Sequence, residues 1–299
     1  MDDLDFSGTP ARPPAPKPTP PVEPSSLYDP KLALAFFKIA GSVEQFPAGK
    51  QIFAEDEKAA GFFSKGARIY LLLEGDVALT VKGKPLELVL PGEIFGEMAA
   101  VAETPRSATA TARKNCRVIS LDEKQFLNSL QQVPEFALML MSVMAQRLRR
   151  SLAKLAEVRK PPAPPLVQRN ALDKKMLAEL QRELGDPVPS AAAAGQNVVT
   201  QGALGACMFV VTQGRIAISV DGLVIEHVEP GGIFGEMALV NRTGRAASAA
   251  AEVDSAWLMI AREDFLKLVK SKPAFGIALL RSIGSRVQHV GKLLREAAA

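Results

Sequence analysis

The chain has 299 residues with 36 Lys plus Arg and 32 Asp plus Glu, so its formal net charge is only +4. This length predicts about two domains, and so small a charge does not indicate a nucleic-acid-binding protein. No apolar run approaches the roughly 18 residues that a membrane span needs, and residues 1–3 do not resemble the start of a secretory signal. The two cysteines favour a reduced pair over a disulfide, so we expect a cytoplasmic protein.

Residues 1–26 are rich in proline and poor in large apolar side chains. They predict a disordered or polyproline-II tail, and their proline spacing leaves open a role in docking to an aromatic groove. A helix follows, because Asp29 suits an N-cap, Pro30 suits a first turn and Gly41 suits the end.

The stretch from Val43 to Leu121 changes to short alternating apolar segments separated by turns such as Lys82-Gly83. This pattern predicts a closed antiparallel roll. Two helices then follow, one capped by Asp122 and a longer one over about 134–159. The end of the long helix is basic. We favour a solvated face there, with contact to nucleic acid as the alternative.

The second half repeats this order. Residues 161–165 predict a stiff proline linker, and a helix is predicted over 168–184 before the second roll. Helices over 262–269 and 273–295 complete the chain. The predicted fold class is therefore mainly β with flanking helices (α+β), with two antiparallel, jelly-roll-like β-roll domains at 27–160 and 166–299.

The hexapeptide Ile-Phe-Gly-Glu-Met-Ala occurs at 94–99 and again at 233–238. Arg106 and Arg245 each lie nine residues after the glutamate of their copy. Glycine, glutamate and arginine are therefore all separated from their second copies by the same distance along the chain, the distance from residue 96 to residue 235, which we call the repeat offset. The glycine permits close backbone approach, and a short helix after it would aim N–H groups at an anion. An arginine suits a phosphate and a glutamate suits a sugar hydroxyl, which indicates a ligand with both.

Two further expectations concern this motif. Leu86, Leu88 and their equivalents are candidates for an apolar floor under a base. The alternative without a ligand is a surface ion pair between Glu97 and Arg106, which the duplication of the motif disfavours.

These segments resemble the phosphate-binding cassette of the cyclic nucleotide-binding domain family. The resemblance implies cAMP as ligand, with cGMP as the alternative, and no catalysis. It implies that Glu97 and Glu236 bind the ribose 2′-hydroxyl, that Arg106 and Arg245 bind the cyclic phosphate, and that nearby backbone N–H groups complete each site. The implied binding residues are Gly96, Glu97, Met98, Ala99, Arg106, Ser107, Ala108, Gly235, Glu236, Met237, Ala238, Arg245, Ala246 and Ala247.

Three departures from the family pattern distinguish the sites. Ser107 follows the first arginine and Ala246 the second, and in the family a hydroxyl here can favour cGMP while alanine goes with cAMP. Pro105 precedes the first arginine, whereas Gly244 precedes the second. Residues 54–58 lack the usual turn glycine, and residues 62–68 resemble a small insertion.

The leading hypothesis is a non-enzymatic tandem sensor that relays ligand state to an effector protein by moving its C-terminal helices. The alternatives are a transcription regulator of the catabolite activator type without a recognisable helix-turn-helix, and a scaffold with vestigial pockets. His227 and His289 are isolated, so we expect no metal or catalytic site. A homodimer through the long helices is left open.

Overall fold

The computed structural model describes residues 28–57, 68–102, 105–156, 164–168, 171–240 and 244–297. The predicted tail, most of the proline linker and most of the predicted insertion lie outside these ranges. Within the described ranges, no helix has the length and apolar character required to cross a bilayer. The fold class is confirmed: two antiparallel β-rolls, each flanked by helices.

The first half begins with a helix, forms a roll interrupted by one short helix, and ends in two helices. Its elements are α1 (Pro30–Ala40), β1 (Ser42–Phe46), β2 (Gln51–Phe53), β3 (Ile69–Glu74), β4 (Val77–Val81), β5 (Lys84–Val89), β6 (Ile94–Phe95), α2 (Glu97–Ala102), β7 (Thr109–Ala112), β8 (Cys116–Leu121), α3 (Glu123–Gln132) and α4 (Glu135–Ala156).

The second half repeats this order with one additional strand at its start. Its elements are β9 (Leu166–Gln168), α5 (Lys174–Glu183), β10 (Ser190–Ala192), β11 (Asn197–Val199), β12 (Cys207–Gln213), β13 (Ile216–Val220), β14 (Leu223–Val228), β15 (Ile233–Phe234), α6 (Met237–Val240), β16 (Ser248–Ala251), β17 (Ser255–Ala261), α7 (Arg262–Ser271) and α8 (Pro273–Ala297).

Each roll consists of two facing sheets. The first has strand orders β1-β8-β3-β6 and β2-β7-β4-β5, and the second has β10-β17-β12-β15 and β11-β16-β13-β14-β9. The pairings within these sheets are antiparallel except β9 with β14, which is parallel. Cys116 in β8 and Cys207 in β12 are both free, as predicted.

Two helix starts follow the capping chemistry of the sequence. The Asp29 side chain accepts a hydrogen bond from Lys31 N at the start of α1. Asp122 forms a capping box with Gln125 at the start of α3. Both N-caps are confirmed, and each satisfies backbone donors that the first helical turn leaves unpaired.

The helix predicted over 168–184 is wrong in its first part. Leu166–Gln168 is the strand β9, and the helix α5 begins only at Lys174 because the Asp173 side chain accepts from Met176 N at 2.7 Å. Gln168 is held in place by Ile233 N, which donates to its side-chain oxygen at 2.6 Å. The segment after the linker therefore extends the second roll.

The long C-terminal helices join the two halves. Helix α4 packs along α8 and also on α6, while α8 also packs on α2. Leu148 and Leu152 of α4 belong to the apolar core of the second roll. Each half therefore contributes its last helix to the surroundings of the other half's short helix.

The predicted insertion in the first roll is consistent with the hydrogen bonding on either side of it. Tyr70 and Phe209, which both pair with the hexapeptide phenylalanine, are related by the repeat offset. Asp56 N donates to Arg106 O and Gly202 N donates to Arg245 O, so these two turns correspond as well. Their spacing in the chain exceeds the repeat offset by seven, so the first roll has seven additional residues between turn and strand.

Candidate functional site

Arg106 is buried with only 3% of its surface exposed. Its Nη1 donates to Gly96 O at 2.8 Å and its Nη2 to Arg68 O at 3.1 Å, and its guanidinium lies 4.1 Å from the centre of the Phe53 ring. Two carbonyls and one ring thus fix the guanidinium plane. A guanidinium carries five N–H donors, more than these two carbonyls require.

Arg245 repeats this arrangement in the second roll. Its Nη1 donates to Gly235 O at 2.9 Å and to Cys207 O at 3.0 Å. Its guanidinium lies 5.3 Å from the centre of the Phe209 ring. The two arginines of the motif therefore occupy matching positions on the same structural support.

Each motif arginine lies so close to the backbone that only glycine fits at the motif position beside it. Gly96 has φ +76° and Gly235 has φ +72°, a backbone conformation that other residues rarely adopt. A Cβ on Gly96 would lie 2.9 Å from Arg106 Nη1, and one on Gly235 would lie 2.8 Å from Arg245 Nη1. The close approach predicted for a ligand is made here by the guanidinium itself.

Glu97 is buried, with 4% exposure, and forms an ion pair with Arg147 of α4. Arg147 Nη1 lies 2.7 Å from Glu97 Oε1, and this carboxylate, followed by Glu87, raises the pKa of Arg147. The alternative of a surface ion pair between Glu97 and Arg106 is wrong, because both are buried and Arg106 binds carbonyls. On the basic helix, Arg147 is half-exposed and also bonds a motif residue, so it is more than part of a solvated face.

Glu236 forms the equivalent ion pair with Arg286 of α8. Arg286 Nη1 lies 2.8 Å from Glu236 Oε1, and Arg286 Nε donates to Glu226 Oε1 at 3.0 Å. The Arg286 side chain is 8% exposed, and its Nη2 also donates to Ile233 O. Burial alone would lower the pKa of Arg286, but Glu226 and Glu236 offset this and raise it.

The sequence prediction missed these helix arginines. Arg147 and Arg286 are related by the repeat offset, as are Glu87 and Glu226. That recurrence was a visible signal. It was obscured because Arg147 stands among other basic residues on α4.

The remaining predicted residues lie around these groups. The predicted short helices form: α2 begins directly after Gly96 and α6 begins two residues after Gly235. Ala99, Ala108 and Met237 are buried. Ala238 N donates to Gly235 O at 3.2 Å, which holds the start of α6. Ser107 is exposed, whereas Ala246 and Ala247 are half-buried, so the two sites differ after the arginine.

A pocket in the second half lies between the motif segment and the helices α4 and α8. The motif side contributes Glu236, Arg245, Ala246 and Ala247, among others, and the helix side Leu148, Arg149, Leu152, His289 and Val290. Ile225 of β14 also lines this pocket. Its counterpart in the first roll, Leu86, is 60% exposed and Leu88 is 40% exposed, so both side chains are open to solvent here and their role as an apolar floor stays a prediction.

Two β-rolls that each place a buried carboxylate and a carbonyl-bound guanidinium beside a short helix define a tandem binding module for a small polar ligand. The family model of the cyclic nucleotide-binding domain matches residues 43–133 and 190–272, which together exceed half of the chain. The chain belongs to this family.

Two curated relatives share 30% or less of their residues with this chain over the aligned regions. The chain is 30% identical over 118 residues to the CRP-like cAMP-activated global transcriptional regulator of Mycobacterium tuberculosis, covering 38% of this chain and 50% of that one. It is 26% identical over 207 residues to a cAMP-dependent protein kinase regulatory subunit of Eremothecium gossypii, covering 69% of this chain and 40% of that one. The matches thus span half or less of these curated relatives.

Among solved structures, the chain is similar to the Thermus thermophilus catabolite activator protein. Their identity is 29%, the alignment covers 43% of this chain and 59% of that one, and the TM-score is 0.37.

Proposed function

We propose that the protein is a non-enzymatic sensor with two cyclic nucleotide sites, formed by domains at 27–160 and 166–299. cAMP is the proposed ligand, with cGMP as the alternative. The sites comprise the residues from Gly96 to Ala108 and from Gly235 to Ala247 that the motif singles out. Glu97 and Glu236 hold the ribose 2′-hydroxyl, and Arg106 and Arg245 hold the cyclic phosphate.

One observation carries this proposal. In both halves the motif arginine is held by the carbonyl of the motif glycine, and the motif glutamate is held by a helix arginine. A carboxylate accepts hydrogen bonds from a hydroxyl, while a guanidinium donates to an anion. A ribose joined to a cyclic phosphate presents both groups at adjacent positions, so each half offers a matching donor and acceptor.

The output of such a sensor would be transmitted by its helices. Glu97 is bonded to α4 and Glu236 to α8, so a ligand that engages either carboxylate acts on a long helix. The ligand shifts the helices only as far as it binds one arrangement better than the other. We propose that an effector protein reads that arrangement.

Thermal unfolding with added nucleotide tests the proposal. A ligand that binds the native state at 100 times its Kd stabilises it by about 2.7 kcal/mol. We expect cAMP to raise the unfolding temperature and 5′-AMP, which lacks the cyclic phosphodiester, to have little effect. Equal behaviour of cAMP, cGMP and 5′-AMP at millimolar concentration would contradict the proposal and favour a scaffold.

A further inference from the structure

We infer that the second site is built by both halves of the chain, and that Arg149 of the first half binds the cyclic nucleotide there. This inference rests on the proposed function. It adds a ligand-binding residue that lies outside the motif and on the other side of the proline linker from Glu236.

Helix α4 presents one face to the second roll. Leu148, Arg149 and Leu152 all line the second pocket, together with Glu236 and Arg245 of the motif. Residues three and four apart lie on the same side of a helix, so these three side chains form a continuous surface. Leu148 and Leu152 are buried in the second roll's core, which anchors this face of α4.

Arg149 is hydrogen-bonded to the motif segment of the second half. Its Nη2 donates to Gly244 O at 2.7 Å, and Gly244 directly precedes Arg245. Arg149 therefore brings a further guanidinium to the pocket, which Arg245 and Arg286 also line. The contact joins a helix of the first half to the segment proposed to bind phosphate in the second half.

Arg149 retains a donor that needs an acceptor. Its Nε is buried and has no hydrogen-bond partner among the described residues. Burial also lowers the pKa of Arg149, which reflects the loss of water around its charge. A buried, unsatisfied donor is unfavourable, and arginine can only donate, so a ligand acceptor that the Arg149 side chain turns to meet would satisfy it.

A cyclic nucleotide offers two kinds of acceptor to this donor. One is an oxygen of the cyclic phosphate, and the other is the acceptor edge of a purine. Guanine presents O6 and N7 to an arginine, whereas adenine presents N7 beside an amino group. The phosphate is the same in cAMP and cGMP, whereas O6 occurs only in cGMP. Comparison of the two nucleotides therefore distinguishes a contact to the phosphate from a contact to guanine O6.

The arrangement is specific to the second site. The residue related to Arg149 by the repeat offset is Gln288 on α8, so the repeat places a neutral amide where the first half has a cation. Arg150 provides a matched control, because it is adjacent, carries the same charge and is exposed. Arg150 is absent from the described residues that line the pocket.

The test uses full-length protein in an Arg106→Ala background, so that calorimetry with cAMP and cGMP reports the second site. We expect Arg149→Ala to weaken binding about tenfold or more, Arg149→Lys to restore part of it, and Arg150→Ala to leave it unchanged. Equal losses for both nucleotides would assign the contact to the phosphate, and a larger loss for cGMP would assign it to the purine. Thermal unfolding confirms that each variant is folded.

Two negative results are distinguishable. If the Arg106→Ala parent binds the nucleotide and Arg149→Ala matches Arg150→Ala, this inference is overturned and the proposed function stands. If neither the wild type nor the parent binds either nucleotide, the proposed function fails and this inference falls with it.

Discussion

Arg147 and Arg149 lie two residues apart on α4 and contact opposite halves of the molecule. Arg147 Nη1 is 2.7 Å from Glu97 Oε1 in the first half, and Arg149 Nη2 is 2.7 Å from Gly244 O in the second. Two residues turn an α-helix by about 200°, so the two side chains leave α4 on opposite faces. One rigid helix therefore connects the two candidate sites directly.

This connection predicts that Arg147→Ala weakens ligand binding at the second site. Without the ion pair to Glu97, α4 is held less firmly, and ordering it again when the second site fills carries a free-energy cost. We expect a severalfold weaker Kd, within the usual range of coupling between sites. Calorimetry in the Arg106→Ala background measures it, with Arg150→Ala as control. An unchanged Kd would show that α4 does not couple the sites through this ion pair.

Substitution of the motif glycines should abolish binding locally. In Gly96→Ala the new Cβ meets Arg106 Nη1 at 2.9 Å and the residue keeps an unfavourable φ of +76°. We expect the first site to be lost while the second still binds. Gly83→Ala is a matched control, since Gly83 has φ +73° but nothing within 4 Å of the added Cβ.

Both alanine variants should lose about 1 kcal/mol or more of stability from the left-handed backbone alone. Only Gly96→Ala should lose ligand binding, as measured by calorimetric stoichiometry. If Gly83→Ala loses binding as well, backbone strain and not displacement of Arg106 is responsible.

The helix arginines should differ in their contribution to stability. The Arg286 side chain is 8% exposed and bonds two buried carboxylates, whereas the Arg147 side chain is 40% exposed. Arg286→Ala leaves two buried carboxylates without a cation and should cost about 3–5 kcal/mol, whereas Arg147→Ala leaves only Glu97 and opens it to water, so its cost should be smaller. Urea unfolding of Arg286→Ala and Arg147→Ala measures the difference, and equal losses would contradict it.

The Arg286→Ala deficit should also depend on pH. Burial already raises the pKa of Glu226, and loss of the guanidinium would raise it further. A carboxyl with a raised pKa in the folded state binds more protons when folded, so the free energy of unfolding increases as pH falls. We expect the deficit to shrink as the pH is lowered from neutral toward the ordinary pKa of a glutamate. A deficit that stays constant over this range would show that both carboxylates remain ionised.

The repeat in the sequence predicted much of the fold and of the candidate sites. The repeat offset relates Glu97 to Glu236 and Arg106 to Arg245, and it extends to the helix arginines that pair with the two glutamates. What it could not predict is the packing between the halves. Arg149 pairs with Gly244 across that packing, and its counterpart Gln288 differs in charge, so no repeat reveals it.

The strand β9 shows a second limit of sequence reasoning. Leu166–Gln168 is too short for an alternating pattern to distinguish it from the helix that follows. It becomes a strand because β14 offers a free edge, to which it adds in parallel, and because Gln168 accepts a hydrogen bond from Ile233 N. Both partners lie far along the chain from β9, beyond the reach of any local pattern.

The central claim is that the protein has two cyclic nucleotide sites, and the stoichiometry of binding tests it most directly. Calorimetric titration with cAMP and with cGMP should give two equivalents for the wild type. Arg106→Ala and Arg245→Ala should each give one, and the double variant none, because loss of the guanidinium from a phosphate site costs about 3 kcal/mol, or roughly a hundredfold in Kd. Two equivalents retained by the folded double variant would contradict the account.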